Sequence, residues 1–412
     1  MDRTTAIALD RADPLAGFRE EFDVPAGGAI YMDGNSLGRP PRSVIAEVGR
    51  AVEEWRTTLV GGWASWVDLP EVVGDRLGRL LGAAPGQVLA CDSTTVNLYK
   101  LASAAVAARR RPATIITEAG DFPTDRYVLQ GIAEATGSRL ILLDPAPDGP
   151  SLLASLEAVL DADTALVCLS HVHYRSARRV DPAAITAAVH RAGGLTLWDL
   201  AHSAGVVPVE LDAWDVDLAV GCTYKYINAG PGAPGFLYVN RKLQDRLRQP
   251  IWGWFGNADQ FEMAPDYRPA PGVRSYLTGT PGIAGLQGVA AGLEVIERAG
   301  VAALWEKSQK LTELLVRLVD DQLVPVGADL ASPPGAADRG GHVSVAHPLA
   351  WPWCRALIEG DRVVADFRTP DAIRLGPAPL YTRFVDCYDT VEAMRQVFDE
   401  GFDTSSPKPW VT

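Results

Sequence analysis

Trp198-Asp199-Leu200-Ala201-His202 and Cys222-Thr223-Tyr224-Lys225-Tyr226 decide the fold of this 412-residue chain. Each stretch closes an apolar run, residues 195–198 in one case and 218–222 in the other, and each delivers a charged group as the run ends. Open α/β sheets place their ligands beyond the carboxyl ends of their strands, so an aspartate and a lysine at two such ends face one crevice. Further strand candidates lie at residues 114–117, 140–143, 165–169 and 236–239, mostly unbroken aliphatic or β-branched runs of the kind that buried parallel strands show. Helical patterns alternate with them. Residues 96–109 present Val96, Leu98, Leu101, Ala104, Ala105 and Ala108 on one broad face, and residues 181–192 open on an Asp N-cap with Pro182 and stop at Gly193-Gly194. Residues 41–240 therefore read as a doubly wound α/β sheet.

A Gly/Pro-rich stretch at 265–282 precedes a long helical pattern at 283–323. After a loop at 331–341 come strand candidates at 342–346, 363–367 and 372–375, with helices at 353–359 and 385–402. The expected division is an N-terminal arm at 1–40, a large domain at 41–282 and a small α+β domain at 283–412. A hydrophobic share of 47% supplies a sizeable core. With 51 acidic and 38 basic residues the net charge is −13, which repels nucleic acid and anionic membranes. Asp10, Asp13, Glu20 and Glu21 interrupt the start, so it lacks the apolar run of a signal peptide. Five scattered cysteines, with no CxxC spacing, read as reduced thiols in a cytoplasmic protein.

A lysine and a carboxylate facing one crevice suit pyridoxal phosphate: the amine forms a Schiff base and the carboxylate pairs with the pyridinium nitrogen. A structural ion pair at the sheet edge has the same letters. Ser93-Thr94-Thr95, just before the 96–109 helix, offers hydroxyls and backbone NH groups to an anion such as the cofactor phosphate, though a plain N-cap reads identically. Asp121-Phe122-Pro123-Thr124-Asp125 follows the 114–117 strand and offers an aromatic face that can stack on a ring, or simply a core phenylalanine. His171 and His173 form an HxH, but further ligands at metal spacing are missing from the sequence around them, and no metal is expected.

Five segments together resemble the kynureninase family, in order and over almost the whole chain: Gly34-Asn35-Ser36-Leu37-Gly38, Asp199-Leu200-Ala201-His202, Tyr224-Lys225-Tyr226-Ile227-Asn228-Ala229-Gly230, Gly253-Trp254-Phe255-Gly256, and Ile373-Arg374-Leu375-Gly376-Pro377-Ala378-Pro379-Leu380-Tyr381. The resemblance implies a pyridoxal-phosphate-dependent transferase fold of type I, with a mainly parallel seven-stranded sheet and a smaller α+β C-terminal domain. It implies that Lys225 holds the cofactor, Asp199 pairs with its ring nitrogen and Phe122 stacks on it. Thr94, Thr95, Pro123, Thr124, Asp125, Ser170, His202 and Tyr224 line it, and Trp254 and Thr280 reach its phosphate from the other subunit of a homodimer. Asn35, Ser36 and Arg374 contact the substrate, Arg374 clamping its carboxylate; an exposed strand charge is the other reading of that arginine. Tyr224 is assigned a proton-relay role. The implied reaction is hydrolysis of the Cβ–Cγ bond of L-kynurenine or 3-hydroxykynurenine to an anthranilate and L-alanine, within tryptophan catabolism or NAD biosynthesis. One departure stands out: Asn257 occupies the place where the family usually carries histidine.

The rivals are a sister enzyme, such as a cysteine desulfurase with Cys354 as nucleophile or a class V aminotransferase, and a catalytically silent binding protein. Cys354 sits in an apolar helix start, which favours a buried thiol. Both Lys225 and Asp199 are present, against the silent reading.

Overall fold

The computed structural model describes residues 2–24, 28–109 and 113–405. Its large sheet has seven strands in the order Val88–Ala90, Phe236–Val239, Leu218–Gly221, Leu195–Asp199, Thr164–Ser170, Thr114–Glu118 and Arg139–Leu143. The five from Leu218–Gly221 to Arg139–Leu143 run parallel, as the unbroken apolar runs imply. Phe236–Val239 runs antiparallel to both neighbours. Residues 222–235 contain no crossover helix, so the chain that leaves Gly221 can only come back the other way. Val88–Ala90 escapes a sequence reading because three residues show no period; its pairing with Phe236–Val239 defines it.

Alternation along the strands sends side chains into two cores. Leu166 and Cys168 join Leu98, Leu101 and Leu197 on one face, while Val167 and Leu169 join Ile185, Val189 and Trp198 on the other. Helices Thr94–Ala107 and Pro182–Arg191 cover these faces, the second capped by Asp181, whose carboxylate accepts from the amides of Ala183 and Ala184.

The helical pattern at 283–323 is two helices and a π-turn. Ile283–Ala299 packs on Arg42–Thr58 and Leu69–Leu80, and its Leu286, Val289 and Leu293 belong to a core of the large sheet. Gly300, at φ 78°, breaks the run where a side chain would be strained. Val301–Leu318 then buries Leu311, Leu314, Leu315 and Leu318 in a separate, smaller core. A further cluster spans the break, with Val295 and Ile296 before Gly300 and Leu304 after it.

The smaller unit holds a four-stranded antiparallel sheet in the order Asp366–Arg368, Ala372–Leu375, Val343–Ala346, Asp329–Leu330. The single strand expected at 363–367 is two: Val363–Val364 pairs in parallel with Ile30–Tyr31, and Asp366–Arg368 joins the sheet. Residues from the N-terminal arm are built into this unit. Arg3–Arg11 packs along Phe384–Glu400, with Arg3 Nε 2.7 Å from Asp389, and buried Lys307 lies 2.7 Å from Asp13. No helix among the described residues is long and apolar enough to cross a membrane.

Candidate active site

Asp199 ends its strand beside Ser170, its register partner on the next strand, and Lys225 follows Leu218–Gly221 by four residues. A cavity of about 190 Å³ opens between them, lined by Thr94, Thr95, Phe122, Thr124, Asp125, Asp199, His202, Tyr224 and Lys225 among others. Lys225 Nζ lies 2.9 Å from His202 Nε2 and 6.0 Å from the centroid of the Tyr224 ring. The Asp199 carboxylate accepts from the Ala201 amide at 2.8 Å, which fixes its orientation at the strand end.

Burial sets the electrostatics. It lowers the Lys225 pKa, against the opposing pull of Cys222 and Asp199, and so favours the free amine that condensation with an aldehyde needs. Burial raises Asp199, opposed chiefly by Lys225. Asp125 is pushed well up by burial and then by Asp199, so one of these two carboxyls is held protonated beside the other. Burial and then Lys225 push His202 well below the usual imidazole range, which keeps it neutral. The Tyr224 hydroxyl is raised by Cys222 and by burial, and it stays protonated.

The structure separates the expected site residues into groups. Phe122 is 39% exposed, its ring set edge-on to Tyr174 at 5.2 Å, so one face stays open to the cavity it lines. Pro123 is the first residue of the helix Pro123–Thr136, and Ser170, with its amide 3.3 Å from Asp121, sits behind the lining. Thr280 lines an adjoining space of about 570 Å³ that shares Ser93, Tyr224 and Ala233 with the first. Trp254 lines neither; it is 40% exposed and packs edge-on against Phe255 and Phe261. Asn257, in the place of the family's histidine, accepts from the Arg268 amide at 2.8 Å and ties down its own loop.

Asn35, Ser36 and Arg374 form a second cluster, on the small-unit side. Arg374 is 1% exposed, which removes the surface-charge reading. Its Nε donates to Asp366 at 2.7 Å, Nη1 to the Tyr174 carbonyl at 2.7 Å, and Nη2 to Ser36 Oγ at 2.8 Å and to the second Asp366 oxygen. Four of its five N–H groups are thus engaged within the protein. Asn35 is fully buried and neither amide atom has a protein partner. The turn carrying it lies against the lysine loop: Gly38 N donates to Tyr224 O at 2.8 Å, and a Cβ on Gly38 would meet Lys225 O at 2.2 Å.

Three residues without an expected role join the site: Asp366 on Arg374, Cys222 in the cavity lining and His342 beside His202. Asp366 is a carboxylate inside an apolar strand, directly across from Arg374, and that position was the available signal. Cys222 both closes its apolar run and lines the cavity. His173 comes within metal-binding reach of Glu118 and Asp121, but Arg178 already pairs with Glu118 and His173 Nε2 already contacts Gly120 O at 2.7 Å, so a cation would have to displace both. Cys354 is fully buried, its thiol 3.7 Å from Ala365 O and its pKa raised by burial, which disarms it as a nucleophile.

Comparison with known proteins agrees with this architecture. The family model for aminotransferase class-V matches residues 66–334, and that for the kynureninase C-terminal domain matches residues 304–394. The kynureninase of Pseudomonas fluorescens is 42% identical over 406 residues, covering 96% of this chain and 95% of its own. That of Burkholderia pseudomallei (strain 1106a) is 41% identical over the same span, with the same coverage. Among solved structures, an apo cysteine desulfurase from Thermococcus onnurineus NA1 superposes with a TM-score of 0.79 at 19% identity, covering 90% of this chain and 95% of its own. A C-DES mutant with glycine covalently linked to its PLP cofactor gives 0.81 at 18%, covering 92% and 98%. At such identity these two speak for the fold alone, whereas near-complete coverage at 42% decides the family: this chain is a member of the kynureninase family, within the class-V aminotransferases.

Proposed function

We propose that this protein is a pyridoxal-phosphate-dependent hydrolase that cleaves the Cβ–Cγ bond of L-kynurenine, or of its 3-hydroxy form, to the corresponding anthranilate and L-alanine. The observation that carries this reading is agreement with kynureninases over 96% of the chain, on a scaffold whose half-buried lysine and buried aspartate share one cavity. The residues fit the cofactor. Thr94 and Thr95 bring hydroxyls and a helix start to the cavity, where a phosphate is favoured. Gly235 permits that start to approach, since a Cβ there would stand 3.1 Å from Thr94 N. His202 Nδ1 is buried without a protein partner, as a group awaiting a polar ligand is, and both Asp125 carboxyl oxygens are buried beside Asp199.

Bound pyridoxal phosphate supplies the electron sink for charge developed at the substrate Cα. Asp199 would pair with the ring nitrogen of the group, and Lys225 would hold it through its amine. As a free amine whose pKa burial lowers, Lys225 would also serve as the base for the substrate Cα proton. His202 holds Lys225 Nζ at 2.9 Å, and Tyr224, kept protonated, hands a proton across the same space. Water adds to the γ-carbonyl, and the bond to Cβ breaks to leave anthranilate and, after protonation at Cβ, alanine. Arg374 and Asn35 receive the substrate end; for Arg374 to take a carboxylate it exchanges one of its present acceptors.

The desulfurase alternative loses its nucleophile with the burial of Cys354. A homodimer with shared sites is supported by the open position of Trp254 and by Thr280 in the space beside the cavity, and the five buried free thiols suit a cytoplasmic protein of tryptophan catabolism or NAD biosynthesis. The test is anthranilate fluorescence from purified, cofactor-loaded protein given L-kynurenine, with Lys225→Ala as control. Anthranilate and alanine from the wild type alone are expected. A loaded wild type that releases neither anthranilate nor 3-hydroxyanthranilate from the two substrates would refute the reaction.

A further inference from the structure

The small sheet has an unusual second face. Period-two alternation sends Val343, Val345, Phe367, Ile373 and Leu375 into the small core, and leaves His342, Ser344, Asp366 and Arg374 on the opposite side. In an antiparallel sheet such a polar side is ordinarily solvated. Here all four of these residues are between 0% and 1% exposed, because the face is pressed against the large unit: Arg374 reaches Tyr174 O, and Ser344 Oγ donates to Arg175 O. Burying polar groups is costly unless they are used, and Ser344, Asp366 and Arg374 are each hydrogen-bonded. His342 is not. It is 0% exposed, and neither ring nitrogen has a protein partner.

Its ring lies 5.4 Å, centroid to centroid, from that of His202. Lys225 Nζ carries hydrogens whether charged or neutral, so across the 2.9 Å contact it can donate to His202 Nε2, and in that arrangement the proton of the imidazole resides on Nδ1. Nδ1 is itself buried without a protein acceptor. We propose that His342 is a positioning residue that takes up this Nδ1 hydrogen, with at most one water between the rings, and so fixes the tautomer and plane of His202 against Lys225. The charged and titratable groups around His342 are Arg374, Asp366, Lys225, His173 and His202; burial and then Arg374 push its pKa well down, against the opposing pull of Asp366, which favours the neutral ring an acceptor needs. The inference rests on the reading of Lys225 as the cofactor lysine.

Two variants test it, His342→Phe, which keeps the ring and removes both nitrogens, and His342→Gln, whose amide oxygen can accept. Each is loaded with pyridoxal phosphate. Two quantities are read: the pH midpoint of the absorbance band of the bound cofactor, which needs no substrate, and kcat and KM for L-kynurenine. The phenylalanine variant is expected to displace the midpoint and lower kcat roughly tenfold with KM within about twofold, as loss of an outer-shell partner of a histidine does. The glutamine variant should return both toward wild type. A phenylalanine variant with wild-type midpoint and kcat overturns the proposal, and so do two variants equally impaired, which would mean packing alone. If the phenylalanine variant fails to load, the glutamine variant decides by the same midpoint, wild-type supporting and displaced overturning. Should the wild type turn over no kynurenine, the proposed reaction falls while the midpoint still judges His342.

Discussion

Replacing Asp366 by asparagine should destabilise the protein more than any exposed ion-pair change in it. Asp366 is 0% exposed and receives both Nε and Nη2 of Arg374, which is 1% exposed, as well as Arg368 Nη2 at 2.6 Å. Asparagine keeps the volume, removes the charge, and turns one acceptor into a donor that faces guanidinium hydrogens. Breaking a buried pair from one side costs about 3–5 kcal/mol, because the partner is left charged and uncompensated. Spread over the unfolding entropy of 412 residues, at about 2.1 cal/mol/K per residue, this lowers Tm by about 3–6 °C. Differential scanning fluorimetry at one scan rate, on apo and loaded protein, reads the shift. Arg374→Met in the Asp366→Asn background should recover part of the loss, since it removes the orphaned charge. A drop below about 1 °C, or a double variant worse than the sum of the singles, would refute the claim that the pair is buried and mutually dependent.

Asp121 is raised to about 7 by burial, so in this window the native state holds more protons than the unfolded chain and stability falls as pH rises from about 4 to about 7. Asp121→Asn should reduce this slope in Tm measured at successive pH values; Asp33, also raised to about 7 by burial and by Asp366, together with Asp125 and Asp199, raised chiefly by burial, keeps the remainder. An unchanged slope would contradict the assignment. Tyr224→Phe should lower kcat about a hundredfold while absorbance shows the cofactor still bound, and wild-type turnover would remove its proton-relay role. Gly38→Ala places a Cβ 2.1 Å from Asn228 Oδ1 and 2.2 Å from Lys225 O, so the lysine loop must shift; weaker cofactor binding by fluorescence titration is expected, and wild-type affinity would count against that close approach.

The legible parts of this fold are those in which one residue type has one physical use. Continuous apolar runs gave the central strands, and the lysine and aspartate at their ends gave the crevice. Asp181 and Pro182 marked a helix start that the structure reproduces. What stayed hidden depends on partners distant in sequence. The reversed direction of Phe236–Val239 follows from what the connecting loop lacks, and Val88–Ala90 becomes a strand only beside it. Gly300 looks like one more residue in a long helical pattern until its φ of 78° marks the break, with Leu293 before it and Leu311 after it reaching different cores. His342 and Asp366 belong to alternating strands whose polar side would be solvated in a sheet standing alone, and their importance appears only when the large unit covers that side.

The small unit draws on both ends of the chain: Arg3–Arg11 lies along Phe384–Glu400, and Ile30–Tyr31 pairs with Val363–Val364. Topologically the large sheet is an insertion into the smaller unit. During synthesis every strand of that sheet, the last ending at Val239, has left the ribosome before His342, Asp366 and Arg374 are made. The floor that holds Lys225 and Asp199 can therefore form first, and the wall opposite it arrives last. A chain stopped before residue 342 would keep its lysine and aspartate but leave the N-terminal helix and strand without the partners they pack on.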